Sequence, residues 1–256
     1  MTRLVMLDLE GTLYTREGLI AGAVAAVDGL RGLADGVRFL TNTDSQSDVE
    51  LLGQLRDKGL DVGAEELFTP VNAAVAFVEG VGGGPVLVVG SEAVTRQIGQ
   101  SLELAGEPGS ARHVIVGDCR ASLSYGLLDE AFQALHGGAE LVALQAGRFF
   151  LSGGRPHLDT GAVVAGLAYA SGLEAHVVGK PAVAFLAAAV DSVGLVPGRA
   201  SDVWVVGDDV STDVAMGQAF GATTVQVRTG KYRADQESGA TYVIDSIADL
   251  PNLLAS

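Results

Sequence analysis

Leu4-Val5-Met6-Leu7-Asp8-Leu9-Glu10-Gly11-Thr12 is the stretch on which the reading of this chain turns. Leu4 to Leu7 form an unbroken apolar run, the pattern of a strand buried on both faces of a parallel sheet, and the acidic residues begin where that run stops. Ligands of open α/β sheets bind beyond the carboxyl ends of the strands, which puts Asp8 and Glu10 where chemistry is expected. Gly11 permits a turn there and Thr12 can tie it. A strand ending in Asp-x-Glu-Gly is often only a polar turn, so the rest of the chain has to decide.

Working outward, 22–34 places Val24, Val27, Leu30 and Leu33 at helical spacing, and Asp35-Gly36 ends the helix. Val37 to Leu40 reads as a second strand that closes on Thr41-Asn42-Thr43. Ser47 and Glu50 form a capping-box pattern ahead of the next helix. A helix over 70–79 runs into Gly80-Val81-Gly82-Gly83-Gly84, which reads as a connector and a hinge. Beyond it the alternation restarts, with strands over 86–89, 113–116 and 141–144 and helices over 91–104, 127–135 and 160–170. The chain returns through a strand over 175–178, Gly179-Lys180-Pro181 and an alanine-rich helix. A fully apolar strand, Val203-Trp204-Val205-Val206, then ends in Gly207-Asp208-Asp209 with Asp213 just beyond. A strand over 223–227 and a terminal helix from Ser246 complete the pattern. The fold class expected is α/β: a Rossmann-like parallel-sheet core made of 1–79 and 178–256, with an α/β cap domain inserted over 80–177.

Composition bounds the function. A chain of 256 residues, 48% hydrophobic, buries a full core. Its formal net charge of -15 argues against nucleic acid as the main partner and against an anionic membrane surface. An anionic substrate is still compatible, since a metal and a few basic residues reverse the field locally. Cys119 is the single cysteine, which suits a reducing cytoplasm and is read as a small buried side chain. The apolar stretch from Ala182 to Val190 is far too short to span a membrane. A homodimer is the one protein partnership kept open.

Four strand ends thus offer, in order, a carboxylate pair, a Thr-Asn pair, a lysine and a carboxylate cluster. This ordered set resembles the haloacid dehalogenase superfamily of phosphotransferases, with Asp8 to Thr12 similar to its first motif, Thr41-Asn42 to its second, Lys180 to its third, and Gly207-Asp208-Asp209 with Asp213 to its fourth. The inserted α/β unit resembles the type-two cap of the p-nitrophenyl-phosphatase-like branch. Val116-Gly117, Ser124-Tyr125, Ala131-Phe132-Gln133, Ala146 to Phe150, Val178 to Pro181 and Val227 to Tyr232 look most like the phospholysine/phosphohistidine/inorganic pyrophosphate phosphatase group.

The resemblance implies a phosphatase for small phosphorylated molecules that forms an aspartyl phosphate. Asp8 is then the nucleophile and Glu10 the general acid/base. Thr41, Asn42, Thr43 and Lys180 bind the phosphoryl group, and Arg148 on the cap meets the leaving group. Mg²⁺ is held by Asp8, Asp208 and the backbone carbonyl of Glu10, as suits a hard cation. Arg155, His157 and Asp118 are further cap residues within the same reading. One departure stands out: these phosphatases usually carry aspartate two positions after the nucleophile, and this group often serine, where this chain has Glu10. Two other readings follow. One is a binding or regulatory protein that keeps the fold without turnover, motivated by Glu10. The other is a dehalogenase-type hydrolase, against which Asp208-Asp209 argues, because displacing halide from carbon offers a metal no phosphate oxygens.

Overall fold

The computed structural model describes residues 2–152 and 155–256. The chain divides into two compact units, the first made of Met1–Thr41, Asp48–Phe68 and Lys180–Ser256, the second of Asn42–Ser47 and Thr69–Gly179.

In the first unit a parallel sheet runs in the order Tyr242–Ile244, Thr223–Val227, Val203–Gly207, Leu4–Asp8, Gly36–Leu40, Leu67–Phe68. Leu4–Asp8 has a neighbour on each side, and all five of its residues are buried, as an unbroken apolar run requires. Val5, Leu7, Phe39, Val206 and Val225 share one core with Val27 and Leu30 of the helix Ala23–Leu33, Leu51 and Leu55 of Asp48–Asp57, and Leu250 and Leu254 of the terminal helix. Each such side chain contributes about 1.5–3 kcal/mol by leaving water. The register fixes the geometry of the strand ends: Leu7 is opposite Val206 and Asp8 opposite Leu40. The end of Asp8's strand is therefore flanked by Gly207 on one side and by Leu40 and Thr41 on the other. Leu4–Asp8 is also where the connections change direction, the switch point at which open α/β sheets bind ligands.

The second unit has its own parallel sheet, in the order His176–Val177, Glu140–Ala143, His113–Val116, Val86–Val89. Alternating strand residues feed two cores. Val114, Val116 and Ala143 pack with Ala131, Leu135, Val164 and Leu167 from the helices Tyr125–His136 and Thr160–Ser171. Ile115 and Val142 pack with Val71, Ala74, Val78, Val94 and Ile98 from Pro70–Gly80 and Glu92–Ser101.

Both the Rossmann-like core and the inserted α/β unit are present, but the division falls after Phe68 and after Gly179, not at 79/80 and 177/178. The cause is packing: Val71, Ala74 and Val78 make Pro70–Gly80 a cover for the second sheet. The glycine run accordingly lies inside the second unit, where Gly82, Gly83 and Gly84 all take positive φ and turn the chain from that helix into Val86–Val89. Short pieces go beyond the sequence pattern, among them the hairpins Tyr14–Thr15/Gly18–Leu19 and Phe149–Ser152/Arg155–Leu158 and the edge strands Leu67–Phe68 and Tyr242–Ile244. Among the described residues no helix is long and apolar enough to cross a membrane.

Candidate active site

Asp8 is 7% exposed at the carboxyl end of the central strand. Its Oδ1 accepts from Lys180 Nζ at 2.5 Å and its Oδ2 from Thr12 Oγ1 at 2.9 Å, so Thr12 ties the turn back to the strand end. Lys180 is the first residue of the first unit after the insertion and is also buried. Its Nζ donates to Asp213 Oδ1 at 2.7 Å and to the Leu40 carbonyl at 3.4 Å. Burial opposes the ammonium, but the charges of Asp213 and Asp8 and their hydrogen bonds outweigh it and hold Lys180 above the ordinary lysine range. The lysine stays charged and fixes the direction of the Asp8 carboxylate.

Asp208 follows the strand Val203–Gly207 and is 3% exposed. Its Oδ2 accepts from the Lys231 N–H at 2.6 Å, and its carbonyl from Gln226 Nε2 at 3.1 Å. The carboxylate is wedged between two glycines: a Cβ at Gly11 would lie 2.1 Å from Oδ2, and one at Gly230 only 2.0 Å away. Both positions also have positive φ, 96° and 58°. Thr229 Oγ1 closes this wedge by donating to the Gly11 carbonyl at 2.5 Å. Asp213 lies in the π-helical turn Val210–Val214, whose winding aims it at Lys180 and lets its Oδ2 accept from the Asp209 N–H at 3.3 Å. Asp209 caps the same turn through Ser211 and pairs with Lys231 Nζ at 2.9 Å.

Carboxylate oxygens of Asp8, Asp208 and Asp213 lie within 4.8 Å of one another, and all three residues are buried. Burial first, then the charges of Asp8 and Asp213, pushes the Asp208 carboxyl well above its ordinary range, against the pull of the Lys231 N–H. Burial likewise raises Asp213, to about 6, although Lys180 opposes the shift. The pocket therefore concentrates more negative charge than Lys180 offsets, and its donors are all hard oxygens. Such a cluster of carboxylate oxygens could hold a hard metal ion.

Glu10 lies apart from this cluster. Its side chain is 55% exposed and its Oε1 stands 3.7 Å from Arg16 Nε of the hairpin Tyr14–Thr15/Gly18–Leu19. Thr41 is buried at the end of Gly36–Leu40, its N–H bonded to the Phe68 carbonyl at 3.1 Å. Asn42 and Thr43 belong to the second unit, as do the exposed Arg148, Arg155 and His157. Cys119 is 3% exposed, the small buried side chain expected of it, and burial pushes its thiol up. Sequence pattern alone did not reveal the glycine wedge, the Asp213 bond to Lys180 or the Arg16 partner of Glu10. The sequence offered one signal for the wedge, glycines three residues past the strands Leu4–Asp8 and Thr223–Val227.

Known proteins match this arrangement along its length. Residues 5–101 match the family described as haloacid dehalogenase-like hydrolase, and residues 177–250 a second, described as HAD-hydrolase-like. The human phospholysine phosphohistidine inorganic pyrophosphate phosphatase is 33% identical over 98% of this chain and 93% of its own. This chain belongs to the haloacid dehalogenase-like hydrolases. The human haloacid dehalogenase-like hydrolase domain-containing protein 2 is 34% identical over 91% of the chain and 86% of its own length. A p-nitrophenyl phosphatase from Archaeoglobus fulgidus superposes with a TM-score of 0.90 at 28% identity, covering 98% of this chain and 99% of that one. The hydrolase is thus an enzyme of the phosphatase type, in the p-nitrophenyl-phosphatase-like branch of its family.

Proposed function

We propose that this hydrolase is a Mg²⁺-dependent phosphatase of small phosphorylated molecules that works through an aspartyl phosphate on Asp8. The observation that carries the reading is the buried Asp8 carboxylate, bonded to Lys180 and Thr12 and clustered with Asp208 and Asp213. Phosphoryl transfer is catalysed mostly by positioning and by neutralised charge, and this strand end is built for both.

Asp8 Oδ2 or Oδ1 attacks phosphorus in line, the bond to the leaving oxygen breaks, and a proton reaches that oxygen from Glu10. Water, deprotonated by the same Glu10, then attacks phosphorus and frees Asp8. Lys180 holds the nucleophile and, with Thr41 and the backbone through Asn42 and Thr43, binds the phosphoryl oxygens. Asp8, Asp208 and the carbonyl of Glu10 would hold Mg²⁺, which supplies neutralisation of phosphoryl oxygens when bound. Asp213 keeps Lys180 charged and aimed. The inserted unit serves as the cap, and Arg148 is its candidate for binding the substrate's leaving group.

Release of phosphate from p-nitrophenyl phosphate, measured with Mg²⁺ and with a chelator, tests the reading. The expected result is turnover only with the metal and its loss, by roughly three orders of magnitude or more, in Asp8→Asn. Metal-independent turnover, or an Asp8→Asn enzyme near wild type, would overturn it.

A further inference from the structure

Among the described residues, one buried carboxylate is left over by this chemistry. Asp44 is 6% exposed, three residues past Thr41, in the segment Asn42–Ser47 that leaves the first unit and packs in the second. Its Oδ2 accepts from Thr160 Oγ1 at 2.5 Å, at the start of the helix Thr160–Ser171, and the Gln145 side chain bonds it as well. Its carbonyl accepts from the Asp118 N–H at 3.3 Å. The fit is close on the backbone side, because a Cβ at Gly117 would come within 3.2 Å of that carbonyl. Gly179, the residue before Lys180, is packed in the same way against Asn42, whose Oδ1 would lie 2.7 Å from an added Cβ. The chain thus changes units between Thr41 and Asn42 and again between Gly179 and Lys180.

We propose that Asp44 is a positioning residue: by seating Asn42–Ser47 in the second unit through Thr160, Gln145 and the Asp118 N–H, it sets the backbone that follows Thr41 for phosphoryl binding. This rests on the reading of Thr41 to Thr43 as the phosphoryl-binding stretch. The same geometry makes the seat sensitive to pH. The titratable groups facing Asp44 are Asp159 and Asp118, the latter paired with Arg120 at 2.9 Å, and the Cys119 thiol. Burial, aided by Asp159 and Asp118 and opposed by the Thr160 and Gln145 hydrogen bonds, raises the Asp44 carboxyl to about 7. Because the seated form holds its proton more tightly than an exposed aspartate does, the seat is firmest at low pH and weakens as pH rises through about 7.

The test combines steady-state hydrolysis of p-nitrophenyl phosphate from pH 6 to 8.5 with hydrogen exchange of the amides of 42–47, on wild type, Asp44→Asn, Asp44→Ala and Thr160→Val. Asp44→Ala should raise KM roughly tenfold with a smaller change in kcat, and speed exchange of the segment. Asp44→Asn, which keeps the shape of the neutral carboxyl, should match wild type at pH 6 and lack the rise in KM that wild type shows toward pH 8.5. Thr160→Val should reproduce the alanine variant in weaker form. Unchanged KM and exchange in Asp44→Ala, or the full wild-type pH rise in Asp44→Asn, would overturn the proposal. If wild type shows no turnover, the phosphatase reading fails on its own, and exchange decides the seat: faster in Asp44→Ala than in Asp44→Asn supports it, and equal rates overturn it.

Discussion

Replacing Lys180 by methionine keeps the stem and removes the ammonium bonded to Asp8 at 2.5 Å and Asp213 at 2.7 Å. Three buried carboxylates, Asp8, Asp208 and Asp213, then share one pocket without that partner. Breaking a buried ion pair from one side costs about 3–5 kcal/mol, because the charge left behind has lost water as well as its partner. For a chain of this size each kcal/mol lowers the melting temperature by about 2–4 °C, so Lys180→Met should melt roughly 6 to 20 °C below wild type at pH 8. Two conditions should recover part of the loss. Lowering the pH lets the unpaired carboxylates take up protons, so the gap narrows toward pH 5.5. Saturating Mg²⁺ supplies the missing positive charge, and a ligand present at a hundred times its Kd adds about 2.7 kcal/mol. Turnover should not return in either condition, since the lysine also aims the nucleophile. Thermal melts followed by circular dichroism at both pH values, with and without Mg²⁺, read all of this. A variant melting within about 2 °C of wild type at pH 8, or stabilised less than wild type by Mg²⁺, would refute the account of the pocket as a charge-compensated cluster.

Gly230→Ala forces a Cβ to within 2.0 Å of Asp208 Oδ2 at a φ of 58°, so the carboxylate must move by on the order of 1 Å; kcat/KM should fall about a hundredfold and half-saturation by Mg²⁺ should need more metal. Unchanged metal titration would mean that Asp208 is not held by this wedge. Glu10 carries its carboxylate one methylene further out than aspartate, so wild type should show a burst of phosphoenzyme in rapid quench and Glu10→Asp a higher turnover number. The absence of a burst together with a slower Glu10→Asp enzyme would show a site built around the longer side chain. Asp44→Asn should flatten the dependence of stability on pH, since a carboxyl raised from 3.8 to about 7 on folding stabilises the native state below pH 4 and loses on the order of 4 kcal/mol, as an upper bound, by the time pH has risen past 7. Denaturant midpoints at pH 5 and pH 8 on both proteins check it, and parallel pH profiles would count against it.

The core strands were legible because burial keeps Leu4–Asp8 and Val203–Gly207 apolar until the strand ends, and Arg38 alone interrupts Gly36–Leu40. Leu4–Asp8, Gly36–Leu40 and Val203–Gly207 each stop where a carboxylate, a hydroxyl or an aspartate pair begins, and the observed registers bring those ends side by side. The edge strand Tyr242–Ile244 has neither signal, since Tyr242 and Val243 are exposed and it is only 3 residues long. The sequence reads Pro70–Gly80 as a helix and counts it with the 1–79 core, while it packs with the second unit. Its apolar spacing says that one face is buried, and nothing local says against what.

The same limit explains the site. Residue type and place at a strand end are sequence properties, and they single out Asp8, Lys180 and Asp208, which the fold brings together. Which side chain then meets which depends on loops that converge from far apart. Thr229 reaches the Gly11 carbonyl across 218 residues, and Asp44 reaches Thr160 across 116. Glu10 shows how such a contact changes an argument. Read along the strand, it differs from the usual aspartate only in length. In the folded chain its carboxylate is half exposed and 3.7 Å from Arg16 on the adjacent hairpin, so reach is not the only variable. Arg16 gives that carboxylate a partner within the chain, with which a substrate's leaving oxygen would have to compete. Under the proposed mechanism, the hairpin that follows Asp8 therefore bears on where the Glu10 carboxylate points as well as how far it reaches.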